Sequence, residues 1–116
     1  MQQTFPQRGE VYLVKLPGHS LARKARPALV LSVNVRNQWA HDVLVVPLST
    51  TLRVAPTHVL VPKGEGGLHH DSMAKCEQVT TLHKSRLIRG PFAGKVAERI
   101  MAQVEQGIMR AIGLVV

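Results

Sequence analysis

Apolar residues along this chain fall into short runs broken by turn signals, until about residue 94, where their spacing changes. Residues 11–16 read as a first strand, with Glu10 and Lys15 as polar punctuation, ended by Pro17-Gly18. A polar, basic stretch follows before a nearly continuous apolar run over 27–35, the pattern of a strand covered on both faces. Asn34, Asn37, Gln38 and Asp42 bracket the next connection, and 43–48 is a third apolar strand. Pro47 cannot donate to a ladder, which assigns that end of the strand to an edge or a bulge. Residues 57–62 form a fourth strand, closed by the turn Gly64-Glu65-Gly66-Gly67. Residues 72–79 form a fifth, mixed polar and apolar, with one face toward solvent or a groove. Residues 81–85 read as a single helical turn leading to Leu87 and Ile88.

The last segment has a different period. Ala97, Ile100, Met101, Val104, Ile108, Ala111 and Ile112 recur at helical spacing, with Lys95, Glu98, Arg99, Glu105 and Arg110 opposite them. That is one amphipathic helix packed on a sheet, with Gly113 placed to stop it. About five or six strands and one late helix make a mainly β (α+β) protein, a small curled antiparallel sheet or partial barrel. At 116 residues the chain is a single domain, residues 1–116, with residues 1–7 as a flexible tail.

Charge adds a partner class. The chain carries 15 Lys and Arg against 7 Asp and Glu, a net +8, and an isoelectric point near 10.6. The cations are spread over loops and edges, so the field suits a polyanion or an acidic protein partner; a merely solubilising surface is the plain alternative. Cys76 is the single cysteine, which excludes an internal disulfide and leaves no paired thiolates for zinc. His69-His70-Asp71 invites a metal reading, but adjacent residues rarely converge on one ion, so no metal or cofactor is expected. No signal segment is visible and no apolar stretch approaches the ~20 residues that span a bilayer. The expected location is the cytoplasm, with no membrane partner.

Four short motifs stand in order along the chain: Arg8-Gly9-Glu10-Val11-Tyr12, Arg26-Pro27-Ala28-Leu29-Val30, Val45-Val46-Pro47-Leu48-Ser49 and Cys76-Glu77-Gln78-Val79-Thr80-Thr81. Each alone is common. In this order and spacing they resemble the MazF/PemK family of bacterial toxins, over residues 8–114. The resemblance implies an SH3-like antiparallel barrel of the CcdB/MazF/PemK type with a C-terminal amphipathic helix. It implies a homodimer that cuts single-stranded RNA (mRNA) without a metal, and a MazE-like antitoxin with an acidic, disordered tail.

Residue chemistry is compatible with that reading. RNA is cut without a metal when its own 2′-hydroxyl attacks the adjacent phosphate, which needs a base, a proton source and donors for the phosphorane charge. Arg26 suits the last role, because its guanidinium stays charged and grips two phosphate oxygens in a fork. Pro27 biases Arg26 toward extended backbone and so fixes where the side chain starts. Ser49 falls where the family carries a hydroxyl, more usually Thr, and Thr50 is placed to share that role; a turn-capping Ser is the bland alternative. Glu77 matches a carboxylate that acts as base or orients the 2′-hydroxyl, and Lys75 a cation two residues before it. On a continuous strand those two project together, while Cys76 points inward as a small hydrophobe.

His19 is the remaining catalytic candidate, a side chain able to carry a proton near neutrality. Some family members have Gly-His-Glu-Gln there, whereas this chain reads Gly18-His19-Ser20-Leu21 and lacks the carboxylate. Arg23 and Lys24 are assigned to the RNA backbone. Trp39 either stacks a base or fills space under its loop. Two other readings compete: a gyrase-poisoning toxin of the same fold that cuts nothing, and a basic β-barrel RNA-binding module. The first depends on C-terminal aromatic residues where this chain ends Gly113-Leu114-Val115-Val116, and the second favours more aromatics than 3% of residues supply.

Overall fold

The computed structural model describes residues 5–16 and 24–116. These form seven strands: β1 Val11–Val14, β2 Arg26–Val30, β3 Asp42–Ser49, β4 His58–Val61, β5 Ser72–Lys75, β6 Thr80–His83 and β7 Leu87–Arg89. Two α-helices, α1 Asn34–Trp39 and α2 Glu98–Ala111, complete the regular structure. The strand order is β4-β5-β3-β2-β1-β7, with β6 also on β3 and every pairing antiparallel.

Strand β3 is the hub. Asp42 to Val45 pair with β6, Leu48 and Ser49 pair with β5, and β2 lies along the other side. The row β7-β1-β2-β3-β6 curls around Val14, Ala28, Val30, Val43, Val45 and Leu82. The sheet stays open between β6 and β7, which are joined by the 3₁₀ turn Lys84–Arg86. On its other face Val11, Leu29, Val46 and Leu48 join Val59, Val61 and Ala74 under Ile100, Met101 and Val104 of α2. Both faces of β2 and β3 are therefore covered, which is why their sequences run nearly unbroken in apolar residues. The fold is the barrel-like α+β arrangement with a late amphipathic helix that the periodicity indicates. No helix among the described residues is long and apolar enough to cross a membrane.

Several boundaries differ from the sequence expectation. The apolar run 27–35 is not one strand: β2 stops at Val30 and α1 begins at Asn34. The turn between them is set by buried polar groups rather than hydropathy. Asn37 Nδ2 donates to the Ser32 carbonyl at 2.8 Å, and the Ser32 hydroxyl accepts from the Leu44 N–H at 3.0 Å. Val33 and Val35 consequently face solvent.

Pro47 lies in the central strand, opposite Ala28, rather than at an edge or a bulge. The Leu31 N–H donates to the Leu44 carbonyl, so by antiparallel alternation the nitrogen of residue 47 points away from β2. On that side pairing passes from β6 to β5, so the missing N–H costs no ladder bond.

The expected strand over 72–79 ends at Lys75, and Cys76–Gln78 is a 3₁₀ turn. The expected helical turn over 81–85 is mostly strand β6, because Leu82 packs inward against Val43 while Thr81 and His83 on either side face outward. Of the expected loose tail, residues 1–4 lie outside the described residues. Gln7 is buried, and its N–H donates to Glu10 Oε1 at 2.7 Å.

Helix α2 begins without a side-chain cap of its own. The Glu65 carboxylate, from the β4–β5 turn, accepts from the Ala97 N–H at 2.8 Å and places negative charge at the helix start. Gly113 (φ 81°) ends it, with the Leu114 N–H reaching back to the Met109 carbonyl at 2.8 Å. Arg8, bonded to both the Leu31 carbonyl and Glu105, ties the same helix to β2.

Candidate nucleic-acid interface

Strand register brings several candidate residues onto one face. Ala28 stands opposite Pro47, so Arg26 and Ser49, each two residues further on, lie on the same face at the same end of β2 and β3. Ser49 in turn stands opposite Met73, and Lys75 is two residues along that strand. His58 is the cross-strand partner of Lys75. Arg26, Ser49, Lys75 and His58 therefore share the face of the sheet that encloses the Val14–Leu82 cluster, at its rim. Arg26 is exposed, and among the described residues no carboxylate lies within ion-pair distance of Arg26, Lys24 or Lys75. The Ser49 hydroxyl is half-buried and accepts from the Thr51 N–H at 3.1 Å, and Thr50 is exposed beside it.

The structure does not leave Glu77 free at this rim. Because β5 ends at Lys75, the two residues do not share a strand face. The 3₁₀ turn instead sends the Glu77 carboxylate to β4, where the Thr57 hydroxyl donates to Oε1 at 2.7 Å and His58 Nε2 lies 3.1 Å from Oε2. Burial alone pushes this carboxyl up; the Thr57 hydroxyl, its own backbone N–H and His58 together outweigh burial and hold it below the ordinary value. A carboxylate so held stays ionised and already has donors, which makes it a poor proton acceptor at neutrality.

His58 and Thr57 were not singled out by sequence reasoning. A signal exists: the β4–β5 pairs sum to the same register about Gly66-Gly67, so equal counting from those glycines sets His58 against Lys75. Thr57 continues it, its carbonyl accepting from the Cys76 N–H at 3.0 Å. Between β4 and α2 a cavity of about 320 Å³ is lined by His58, Val59, Leu60, Gln103, Gln106 and Arg110.

The other candidates are dispersed. Trp39 ends α1 and is 77% exposed, so it fills no space under its loop. It lies beside the Asp42 end of β3, the opposite end from Ser49. Cys76 is fully buried, and burial with the nearby Glu77 charge raises its thiol to about 11, against a smaller lowering by Arg110. His19 and Arg23 lie outside the described residues. His69, His70 and Asp71 are exposed, and no group of three or more His, Cys, Asp or Glu among the described residues is arranged to hold a metal ion.

Comparison with known proteins decides the family. The pattern of the PemK-like, MazF-like toxins of type II toxin–antitoxin systems matches residues 7–112. The chain belongs to this family. It is 32% identical over 109 residues, 94% of each chain, to the endoribonuclease MazF4 of Mycobacterium tuberculosis and equally to MazF1 of Mycobacterium bovis. Among solved structures it resembles a mycobacterial endoribonuclease in complex with its cognate antitoxin, at 32% identity and a TM-score of 0.77, covering 96% of this chain and 98% of that one. A MazF from Deinococcus radiodurans, at 20% identity and a TM-score of 0.79, shares the fold across 96% of this chain and 99% of its own. The PemK/MazF frame runs from the Arg8 motif through α2, so all four motifs fall within it.

Proposed function

We propose that this family member is an endoribonuclease toxin that cuts single-stranded RNA at the rim formed by Arg26, Ser49 and Lys75. The observation that carries this reading is the register that sets the exposed Arg26 guanidinium and the Ser49 hydroxyl on one face at one end of β2 and β3. The endoribonuclease relatives, 32% identical over nearly the whole chain, support the reaction class.

In this mechanism the substrate's 2′-hydroxyl attacks the neighbouring phosphorus, giving a 2′,3′-cyclic phosphate and a 5′-hydroxyl. Arg26 grips two non-bridging oxygens and neutralises the charge that grows on them, with Lys75 adding a second cation on the same face. Positive charge from side chains takes the place of a metal. The Ser49 hydroxyl donates to the phosphate or the leaving oxygen, and Thr50 stands beside it. With Glu77 committed to Thr57 and His58, His19 is left as the candidate proton carrier. Lys24 and Arg23 hold the RNA backbone upstream of Arg26.

The partner is an antitoxin whose acidic segment competes for the same cations, and the working unit is a homodimer. The antitoxin-bound relative supports the first part.

The test uses purified protein, excess chelator and an RNA with one deoxyribose at the cut site. Cleavage of the all-ribose strand, and none of the substituted one, is the expected result. Arg26→Ala should lower the rate by ~10²–10³ with the fold unchanged. Cleavage that survives the deoxyribose, or that needs added magnesium, would overturn the mechanism.

A further inference from the structure

The segment 50–57 between β3 and β4 carries Thr50 and leads directly from Ser49, yet it buries no large apolar side chain. Leu52 and Val54 are 48% and 85% exposed. At its far end the His58 N–H donates to the Ala55 carbonyl at 3.0 Å and Thr57 is bonded to Cys76 and Glu77, while the bonds nearer Ser49 form one chain. The Ser49 hydroxyl accepts from the Thr51 N–H at 3.1 Å, and the Thr51 carbonyl accepts from the Arg53 N–H at 2.9 Å. The Arg53 carbonyl lies 2.8 Å from His58 Nδ1, and His58 Nε2 lies 3.1 Å from Glu77 Oε2. The chain thus runs from the candidate hydroxyl, through the loop backbone, to a histidine and a carboxylate outside the loop.

Proton counting ties the two contacts together to one state of the ring. A carbonyl oxygen only accepts, and so does an ionised carboxylate. Glu77 is held ionised by its bonds to Thr57, its own backbone and His58. Both His58 nitrogens must therefore carry hydrogen while both contacts are made, which makes the ring an imidazolium. A neutral ring satisfies one partner and faces the other with a lone pair. The His58 side chain is only 7% exposed, so water is poorly placed to substitute.

We propose that His58 and Glu77 form a proton-dependent latch on segment 50–57, which makes His58 a positioning residue for the Ser49 and Thr50 hydroxyls. The latch is closed when the ring is protonated and loosens as pH rises. The charged groups that stand around the ring are Glu77 from the 3₁₀ turn, Lys75 across the β4–β5 pair and Arg110 of α2 at the shared cavity. Arg53 contributes through its carbonyl. The importance of this latch for cleavage rests on the function proposed above; its existence does not.

Amide hydrogen exchange on the full chain tests it without RNA. With intrinsic chemical rates divided out, protection of segment 50–57 should fall about tenfold between pH ~5.5 and ~8, while β2 and β3 keep theirs. His58→Gln, which has one donor arm and one acceptor arm at every pH, should abolish the pH step. Glu77→Gln, whose amide can donate to a neutral ring, should shrink the step. Ring nitrogen shifts of the wild-type protein give a second readout that needs no variant to fold: with the loop protected, both His58 nitrogens should be protonated. In the cleavage assay His58→Gln should lower kcat more than it raises KM. A wild-type loop whose protection ignores pH, a step that survives His58→Gln, or a neutral His58 ring in the protected state would each overturn the latch. A chain that shows the pH step but cuts no RNA would overturn the proposed function alone.

Discussion

Replacing Gly107 by alanine should destabilise this protein, against the direction that helix propensity sets. Gly107 is buried in the middle of α2, where exchanging glycine for alanine at an exposed site gains about 1 kcal/mol. Here a Cβ would stand 2.6 Å from Cys76 Sγ, 3.1 Å from Cys76 Cβ and 3.4 Å from Val59 Cγ2. The sulfur can rotate away, but the Cys76 Cβ is fixed by a backbone whose N–H is bonded to the Thr57 carbonyl at 3.0 Å. The helix or the 3₁₀ turn must therefore shift. Overpacking by one methyl costs roughly 1–3 kcal/mol, which exceeds the propensity gain by about 1 kcal/mol at its centre.

A double-mutant cycle separates the two terms. Cys76→Ala removes the 2.6 Å contact and leaves the 3.1 Å one. In that background Gly107→Ala should be close to neutral, a coupling of roughly 1–2 kcal/mol between the sites. Urea midpoints measured at one fixed protein concentration provide the assay, because any self-association shifts apparent stability by mass action. If Gly107→Ala raises the midpoint of the otherwise native chain, or costs as much without the sulfur as with it, the packing argument fails.

Two titrations test the electrostatics. Tyr12 is the single tyrosine, and burial, then the Glu10 charge and the Glu10 hydrogen bond, raise its phenol to about 12. Its ultraviolet titration in the folded chain should centre there. The associated stability is intact below the ordinary phenol value of ~10 and is lost as pH rises through the folded one, so a midpoint near 10 would refute it. Cys76, raised to about 11, should react with a disulfide reagent at pH ~8 at least ~100-fold more slowly in the folded chain than in denaturant, and comparable rates would show that the thiol is accessible.

How far the sequence speaks for itself depends on which force shaped each element. Strands β1 to β5 and helix α2 are legible because hydropathy decides them. The continuous runs of β2 and β3 mark burial on two faces, and the stripe Ile100, Met101 and Val104 marks burial on one. Helix α1 is not legible, because its apolar residues Val35 and Trp39 face out while its buried member is Asn37, held by Ser32. Arg26 and Ser49 could be named from their motifs, and register then placed them on one face. The partnership of Glu77 with His58 could not be named, since it joins residues 19 positions apart across a hairpin. Only a count outward from Gly66-Gly67 brings them near each other, and even that count assumes a strand where the chain turns.

That turn, Cys76–Gln78, is where packing and chemistry meet. A strand continued through residue 77 would have left Glu77 beside Lys75, projecting from the sheet with no fixed partner. Turning one residue earlier sends Cys76 into the contact with Gly107 and Val59, and Glu77 across to Thr57 and His58. The missing side chain at Gly107 admits the cysteine, and the cysteine seats the turn. The seated turn then holds the carboxylate against the imidazole that grips the loop after Ser49. Helix α2 packs against β4 and the 3₁₀ turn, and its one glycine sets the position of the residue next to Glu77. A change on the helix side therefore meets both Val59 of β4 and Cys76, and through Cys76 it is one peptide unit from Glu77.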